Sequence, residues 1–294
     1  MTKSIKKYLA GIVFITILIL LICNAYKKNR TYNMIVVEPK GKYLHFSIDD
    51  TRECITRLQE YNSESIFEDP TLSILKEWHD KYGIVASLYV QGDFTINSKY
   101  AKELIDNSDW LKWGYHGNTD KPHKTDMQIF YKQIIDSIGS SPVIDMCPRI
   151  HYFHADHTTC MNLKDLGCIG FLTCDDWSWN SKKREQNYYL TPSQNETLDR
   201  NDRLYDKDNR MYFVKTDFRL EHIAQRWGNV NNLLNYYATK SAENNELIIF
   251  SHEWCFNEFK KEADSIFYWA NQNGYEFDYP ANRLATNNNN KLLE

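Results

Sequence analysis

The strongest constraint on this chain is an alternation. Apolar stretches that read as strands end in acidic or histidine clusters, and amphipathic stretches that read as helices lie between them. Residues 43–48 end at Asp49-Asp50, 110–115 at His116-Gly117, 169–173 just before Asp175-Asp176, and 247–250 just before His252. Between them, 51–61, 72–82, 99–105, 127–138, 157–166, 230–242 and 259–273 carry apolar residues at helical spacing. Residues 84–90, 143–146 and 211–216 add further strands, whereas 178–210 show little periodicity and are expected to form a long loop. Strands alternating with helices imply an α/β fold with a parallel sheet or barrel. In barrels of that kind the chemistry collects at the C-terminal strand ends, where these polar clusters fall.

The N-terminus obeys a different rule. Residues 9–23, LAGIVFITILILLIC, carry no charge and are flanked by lysines on both sides. Extended to Tyr26, the run approaches the length needed to cross a bilayer core. The expectation is a cytoplasmic start (1–7), a transmembrane signal anchor (8–26) and a polar tether (27–40). A catalytic domain (41–285) outside the cytoplasm and a disordered tail (286–294) follow. A cleaved signal peptide that releases a secreted protein is the alternative, although Cys23-Asn24-Ala25 makes a mediocre cleavage site. The first 30 residues hold six of the 35 bases and no acids, which leaves 29 bases against 39 acids and a net charge of −10 beyond them. So acidic a body is a poor partner for nucleic acid.

Six of the seven cysteines follow the apolar run, which permits disulfides outside the cytoplasm, and no CxxC pair supports a zinc ribbon or a thioredoxin-like motif. The 20 Tyr, 14 Phe and 8 Trp suit a large core, and some suit a cleft in which flat rings stack on sugars.

Three groups of residues carry chemistry. Asp49 and Asp50 are adjacent carboxylates at a strand end, where desolvating both calls for a cation or a proton; an N-cap role for Asp50 is the plainer reading. His116 and Asp120 stand four apart with His123 three further on, a spacing and donor set that suit zinc or a similar divalent ion. His252, at the end of an apolar strand, suits a general acid. A separate series, His151, His154, His157 and Cys160, recurs every three residues; a second metal site there is the less favoured reading, and polar side chains at a cleft rim the more favoured one.

Taken in order, these segments resemble the polysaccharide deacetylase family, carbohydrate esterases with a NodB homology domain. Phe46-Ser47-Ile48-Asp49-Asp50 looks like the first family motif, His116 to Asp120 the second, and Pro148-Arg149-Ile150-His151-Tyr152 the third. Asp175-Asp176-Trp177 and Ile248 to His252 look like the fourth and fifth. The resemblance implies a distorted (β/α) barrel of about seven strands. It implies a metal-dependent hydrolase that removes acetyl groups from an N- or O-acetylated polysaccharide. Asp50, His116 and Asp120 would hold a divalent metal, zinc or else cobalt, nickel or manganese, with His123 as the substitute third ligand. Asp49 would be the base, His252 the acid, and Arg149 would orient Asp49. Asp176 or Asp175 would hold His252, the Tyr152 N–H would face an oxyanion, and Trp177 would wall the acetyl pocket. This chain departs from the pattern at Thr51, where glycine is common, at Asp120, where histidine is usual, and at His151, where proline is common. A catalytically inactive glycan-binding protein on the same fold is the alternative, and a glycosidase with paired carboxylates leaves the histidines unexplained.

Overall fold

A computed structural model describes residues 12–18, 32–117, 124–139, 142–153, 155–175, 187–240 and 245–288. The chain divides into two units, Met1–Asn33 and Met34–Glu294. In the first, residues 12–18 are helical; the rest of the expected 8–26 span lies outside the described residues. Among the described residues, no helix is long and apolar enough to cross a membrane.

The second unit is α/β with a mostly parallel sheet. The strands are β1 (Met34–Val36), β2 (Lys42–Asp49), β3 (Ala86–Val90), β4 (Leu111–Tyr115), β5 (Gly170–Leu172), β6 (Arg203–Asp206), β7 (Met211–Val214), β8 (Phe218–Arg219), β9 (Asn245–His252) and β10 (Glu276–Phe277). The helices are α1 (Arg52–Glu60), α2 (Pro70–Tyr82), α3 (Ala101–Asp106), α4 (Lys124–Ile138), α5 (His157–Asp165), α6 (Pro192–Asn201), α7 (Ile223–Trp227), α8 (Val230–Lys240), α9 (Lys260–Gln272) and α10 (Pro280–Asn288). One sheet runs β4-β3-β2-β9-β8, all parallel, with β10 also on β2; the other runs β1-β6-β7-β5.

Residues 143–148 join the two sheets. Trp113 N donates to Val143 O and Asp145 N to Trp113 O, while Ile169 N donates to Met146 O and Leu172 N to Pro148 O. On the far side, β7 runs through 215–217 into β8, which pairs with β9. The hydrogen-bonded path therefore returns to its start through seven chain segments, and β2 has neighbours along its whole length.

Alternation along β2 divides the core. Leu44, Phe46 and Ile48 face the helices, where Phe46 meets Trp78 and Phe267 with ring centroids at 6.2 and 5.3 Å. Tyr43, His45, Ser47 and Asp49, at the alternate positions, face the enclosed side with Tyr89, Cys147, Leu172 and Ile248. Polar groups there must find partners. At the N-terminal end of β2 and β9, Arg203 Nε donates to Glu246 Oε2 at 2.5 Å, and the Tyr43 hydroxyl donates to the same oxygen at 2.9 Å. Because Arg203 belongs to β6, this buried ion pair ties the two sheets together.

Local chemistry sets the element ends. Asp69 caps α2 by accepting from Thr71 N and Leu72 N, Pro70 occupies the first turn, and Gly83 ends the helix at φ 75°. Three expectations are corrected. The stretch expected to be an unbroken loop, 178–210, contains α6, capped by Thr191 with Gln194, and β6; its polar composition hid a helix that buries only Leu198. Residues 34–36, expected within the tether, form β1 on β6. The helix α10 extends past 285 to Asn288. No disulfide links the six described cysteines.

His45 is fully buried, neither ring nitrogen makes a well-formed hydrogen bond, and a weak polar contact with the Asp278 backbone only partly opposes the effect of burial. Burial, reinforced by the charge of Arg149, lowers its pKa to about 3. The folded state therefore holds it neutral, while the unfolded chain protonates it below its ordinary value. Its contribution to stability is complete above about pH 6.5 and is lost as pH falls toward 3. Urea unfolding of wild type and His45→Phe between pH 7 and 4 should show the variant gaining on the wild type as pH falls. A constant gap would contradict a neutral buried imidazole.

Candidate active site

Asp49 and His252 are register partners at the C-terminal ends of β2 and β9, and adjacent parallel strands put both side chains on one face. Asp49 is buried and receives Arg149 Nη1 at 2.9 Å. The same guanidinium donates to Ser47 Oγ at 2.7 Å and Thr216 Oγ1 at 3.2 Å, and lies 4.1 Å above the Phe250 ring. Arg149 is itself fully buried. A charged pair so enclosed is costly to break from one side.

Asp50 has φ 60°, a left-handed conformation that Asp tolerates better than most residues. This kink takes Asp50 out of the strand's alternation and aims it at His116 instead of along the face of Asp49. His116 Nδ1 is 2.6 Å from the Arg149 carbonyl oxygen, which can only accept, so Nδ1 carries the proton. The lone pair of Nε2 is then left facing Asp50 Oδ1 at 3.4 Å, and that buried oxygen has no hydrogen-bond partner. Two acceptors in that arrangement call for a proton or a cation between them. Ligands about 2.1 Å from a tetrahedral ion stand roughly 3.4 Å apart, so the spacing suits a divalent cation.

His151 completes the group: Asp50, His116 and His151 each offer a ligand atom, all within 4.8 Å of one another. Its position follows from the backbone, because His151 N donates to His116 O at 2.8 Å. The third donor is thus a residue read from sequence as part of a cleft-rim series. Asp120 and His123, expected to supply it, lie outside the described residues, as does His154. Of the remaining members of that series, His157 bonds Asn209 Oδ1 through Nε2 at 2.9 Å and Cys160 lies on the buried face of α5, outside any clustered ligand set among the described residues.

His252 is held by Glu221, a residue the sequence reading did not single out. Glu221 Oε1 accepts from His252 Nδ1 at 2.9 Å, His252 N at 2.6 Å, Ser251 Oγ at 3.1 Å and Cys255 Sγ at 3.0 Å. Burial lowers the His252 pKa, but the hydrogen bond to Glu221 and the charges of Asp49 and Glu221 outweigh it and raise the pKa above the ordinary value. Asp175, the alternative to Asp176 for holding His252, instead takes Arg219 Nη2 at 2.5 Å and lies 3.7 Å from His222 Nδ1. Asp176 and Trp177 lie outside the described residues. Glu221 went unread because β8, which positions it, has only two residues, too few to show a period. Tyr152, expected as an oxyanion donor, has φ 52° and an exposed side chain, with its ring centroid 4.0 Å from that of His151.

No family model matches the sequence, and no curated protein matches it. Solved structures do. The Xyl-CE4 domain of a multidomain xylanase from the hindgut metagenome of Trinervitermes trinervoides matches at 13% identity and TM-score 0.43, over 85% of this chain and 92% of that one. A mutant of the peptidoglycan deacetylase PdaC from Bacillus subtilis matches at 12% and 0.39, over 87% and 98%. A CE4 family pseudoenzyme from Bacillus anthracis matches at 11% and 0.36, over 84% of this chain and 66% of that one, just under two thirds of its length.

Replacing Glu221 by Gln removes the carboxylate that favours imidazolium. The pH at which His252 titrates, followed by NMR of its ring protons, should move down in Glu221→Gln. No movement would mean that Glu221 does not set the protonation of His252. Arg149→Met, which strands the Asp49 carboxylate in the interior, should lower unfolding free energy by about 3–5 kcal/mol in urea titrations.

Proposed function

We propose that this chain is a metal-dependent hydrolase that removes acetyl groups from an acetylated polysaccharide. One observation carries the proposal: a base and an acid, Asp49 and His252, are register partners on adjacent strands, and a two-histidine, one-carboxylate donor set adjoins them. A binding protein needs neither that pairing nor the separate carboxylates that orient each member.

Asp50, His116 and His151 would hold the ion, which when bound supplies Lewis acidity toward water and the acetyl carbonyl. Asp49 accepts the proton of the attacking water, and Arg149 fixes the orientation of its carboxylate. His252, with Nδ1–H committed to Glu221, has Nε2 left to deliver a proton to the departing amine or alcohol. Its raised pKa favours the protonated form that a proton donor requires. The substrate reading rests on the five sequence motifs in order, and the paired Asp49 and His252 beside a candidate metal site are compatible with it. An exterior location, with the apolar run 9–23 as a membrane tether, is supported by the sequence alone.

Purified protein should contain about one zinc-like ion per chain by elemental analysis, and His116→Ala and His151→Ala should each lose it. Retention of metal by His151→Ala would return the third-ligand role to a residue of the 118–123 segment. With an acetylated glycan that the wild type hydrolyses, Asp49→Asn should lower kcat about 10²- to 10⁴-fold without loss of bound metal. Turnover near wild type would sink the base assignment.

A further inference from the structure

Trp254 is 70% exposed, although it lies two residues beyond the proposed acid. A large indole left in solvent forgoes the burial that most aromatic side chains of this chain obtain, which invites a reason. Its direction is imposed by its neighbours. Glu253 is buried, accepting Arg57 Nη2 at 2.7 Å and Glu53 N at 3.0 Å. Cys255 donates to Glu221, and Phe256 packs against Phe46 and Trp78 with centroids at 6.1 and 5.5 Å. With the residues on both sides anchored inward, the indole is held outward on a rigid support. It also lies nearly parallel to the His252 ring, at 29° and 5.5 Å.

We propose that Trp254 is the stacking platform for the pyranose ring that carries the acetyl group. This inference rests on the hydrolase reading, which makes His252 the donor to the leaving atom. The sugar bonded to that atom must then lie on the His252 side of the cleft, next to Trp254, rather than on the side of His151. A flat indole face matches the C–H face of a pyranose, buries apolar area on both and leaves the hydroxyls to solvent. A rigid exposed aromatic also binds with little loss of conformational entropy. Tyr152, 59% exposed beside His151, offers a second ring on the metal side. Rings on both flanks of the reacting centre suit a chain of sugars over a lone monosaccharide.

The test uses the full chain with the tetramer of β-1,4-linked N-acetylglucosamine and acetylated xylotetraose. Binding is measured calorimetrically, and acetate release where it occurs. Trp254→Ala should weaken binding of the recognised oligosaccharide about tenfold, with KM rising more than kcat falls. Trp254→Phe should recover most of the loss, and Trp254→Leu, similarly apolar but not flat, should not. Unchanged binding in Trp254→Ala, equal recovery by Leu and Phe, or no binding of either oligosaccharide by the wild type would overturn the platform. Failure of the hydrolase reading gives a different result: neither metal nor acetate release in the wild type. Binding that still depends on Trp254 would then keep the aromatic platform but remove the assignment of which sugar it holds.

Discussion

The buried guanidinium of Arg149 is the interaction on which the site depends. It reaches β2 through Ser47 and Asp49, the β7–β8 link through Thr216, and β9 through the face of Phe250. Its carbonyl sets the tautomer of His116, and two residues later the chain donates from His151 N back to His116 O. One residue thus charges the surroundings of Asp49 and orients one proposed ligand, and its segment delivers another. A cation without solvent is tolerable there because Asp49 neutralises it and aromatic faces cover it.

That arrangement needs an enclosed polar interior, and the strand alternation supplies one. The helix-facing side of β2 packs aromatics of α2, α9 and the turn after β9, where dispersion and burial carry the stability. The opposite side holds Tyr43, His45, Ser47 and Asp49, graded from a structural ion pair at the N-terminal end to the proposed base at the C-terminal end. Parallel strands explain the segregation, because all of their C-terminal ends in this sheet open at the same edge. Arg203–Glu246 ties the sheets at one end, and the other is left for chemistry.

Two adjacent carboxylates do different work because the backbone separates them. Asp49 is the last residue of regular strand and points with its alternation toward Arg149. Asp50 adopts φ 60° and turns toward His116. Local strain of about 1–3 kcal/mol at such a residue is supported by the paired strands on either side. The same division recurs on the neighbouring strand, where Glu221 fixes Nδ1 of His252 and leaves Nε2 for other partners. Cys255 and Ser251 add donors to the same Glu221 oxygen, so that carboxylate has little freedom to move.

The sequence by itself determined the α/β alternation, the placement of Asp49, His116 and His252 at strand ends, and the proximity of Arg149 to Asp49 that the motif order implies. Those features are legible because strand and helix periods recur over many residues, and because charged residues inside apolar stretches stand out. Only the tertiary structure decided that Glu221 holds His252, that His151 joins Asp50 and His116, and that Asp175 turns to Arg219. Each of these depends on residues far apart in sequence, or on elements of two or three residues such as β8, which carry no period. The kink at Asp50 and the outward set of Trp254 likewise follow from what the neighbouring residues bury, and that is a property of packing rather than of local pattern.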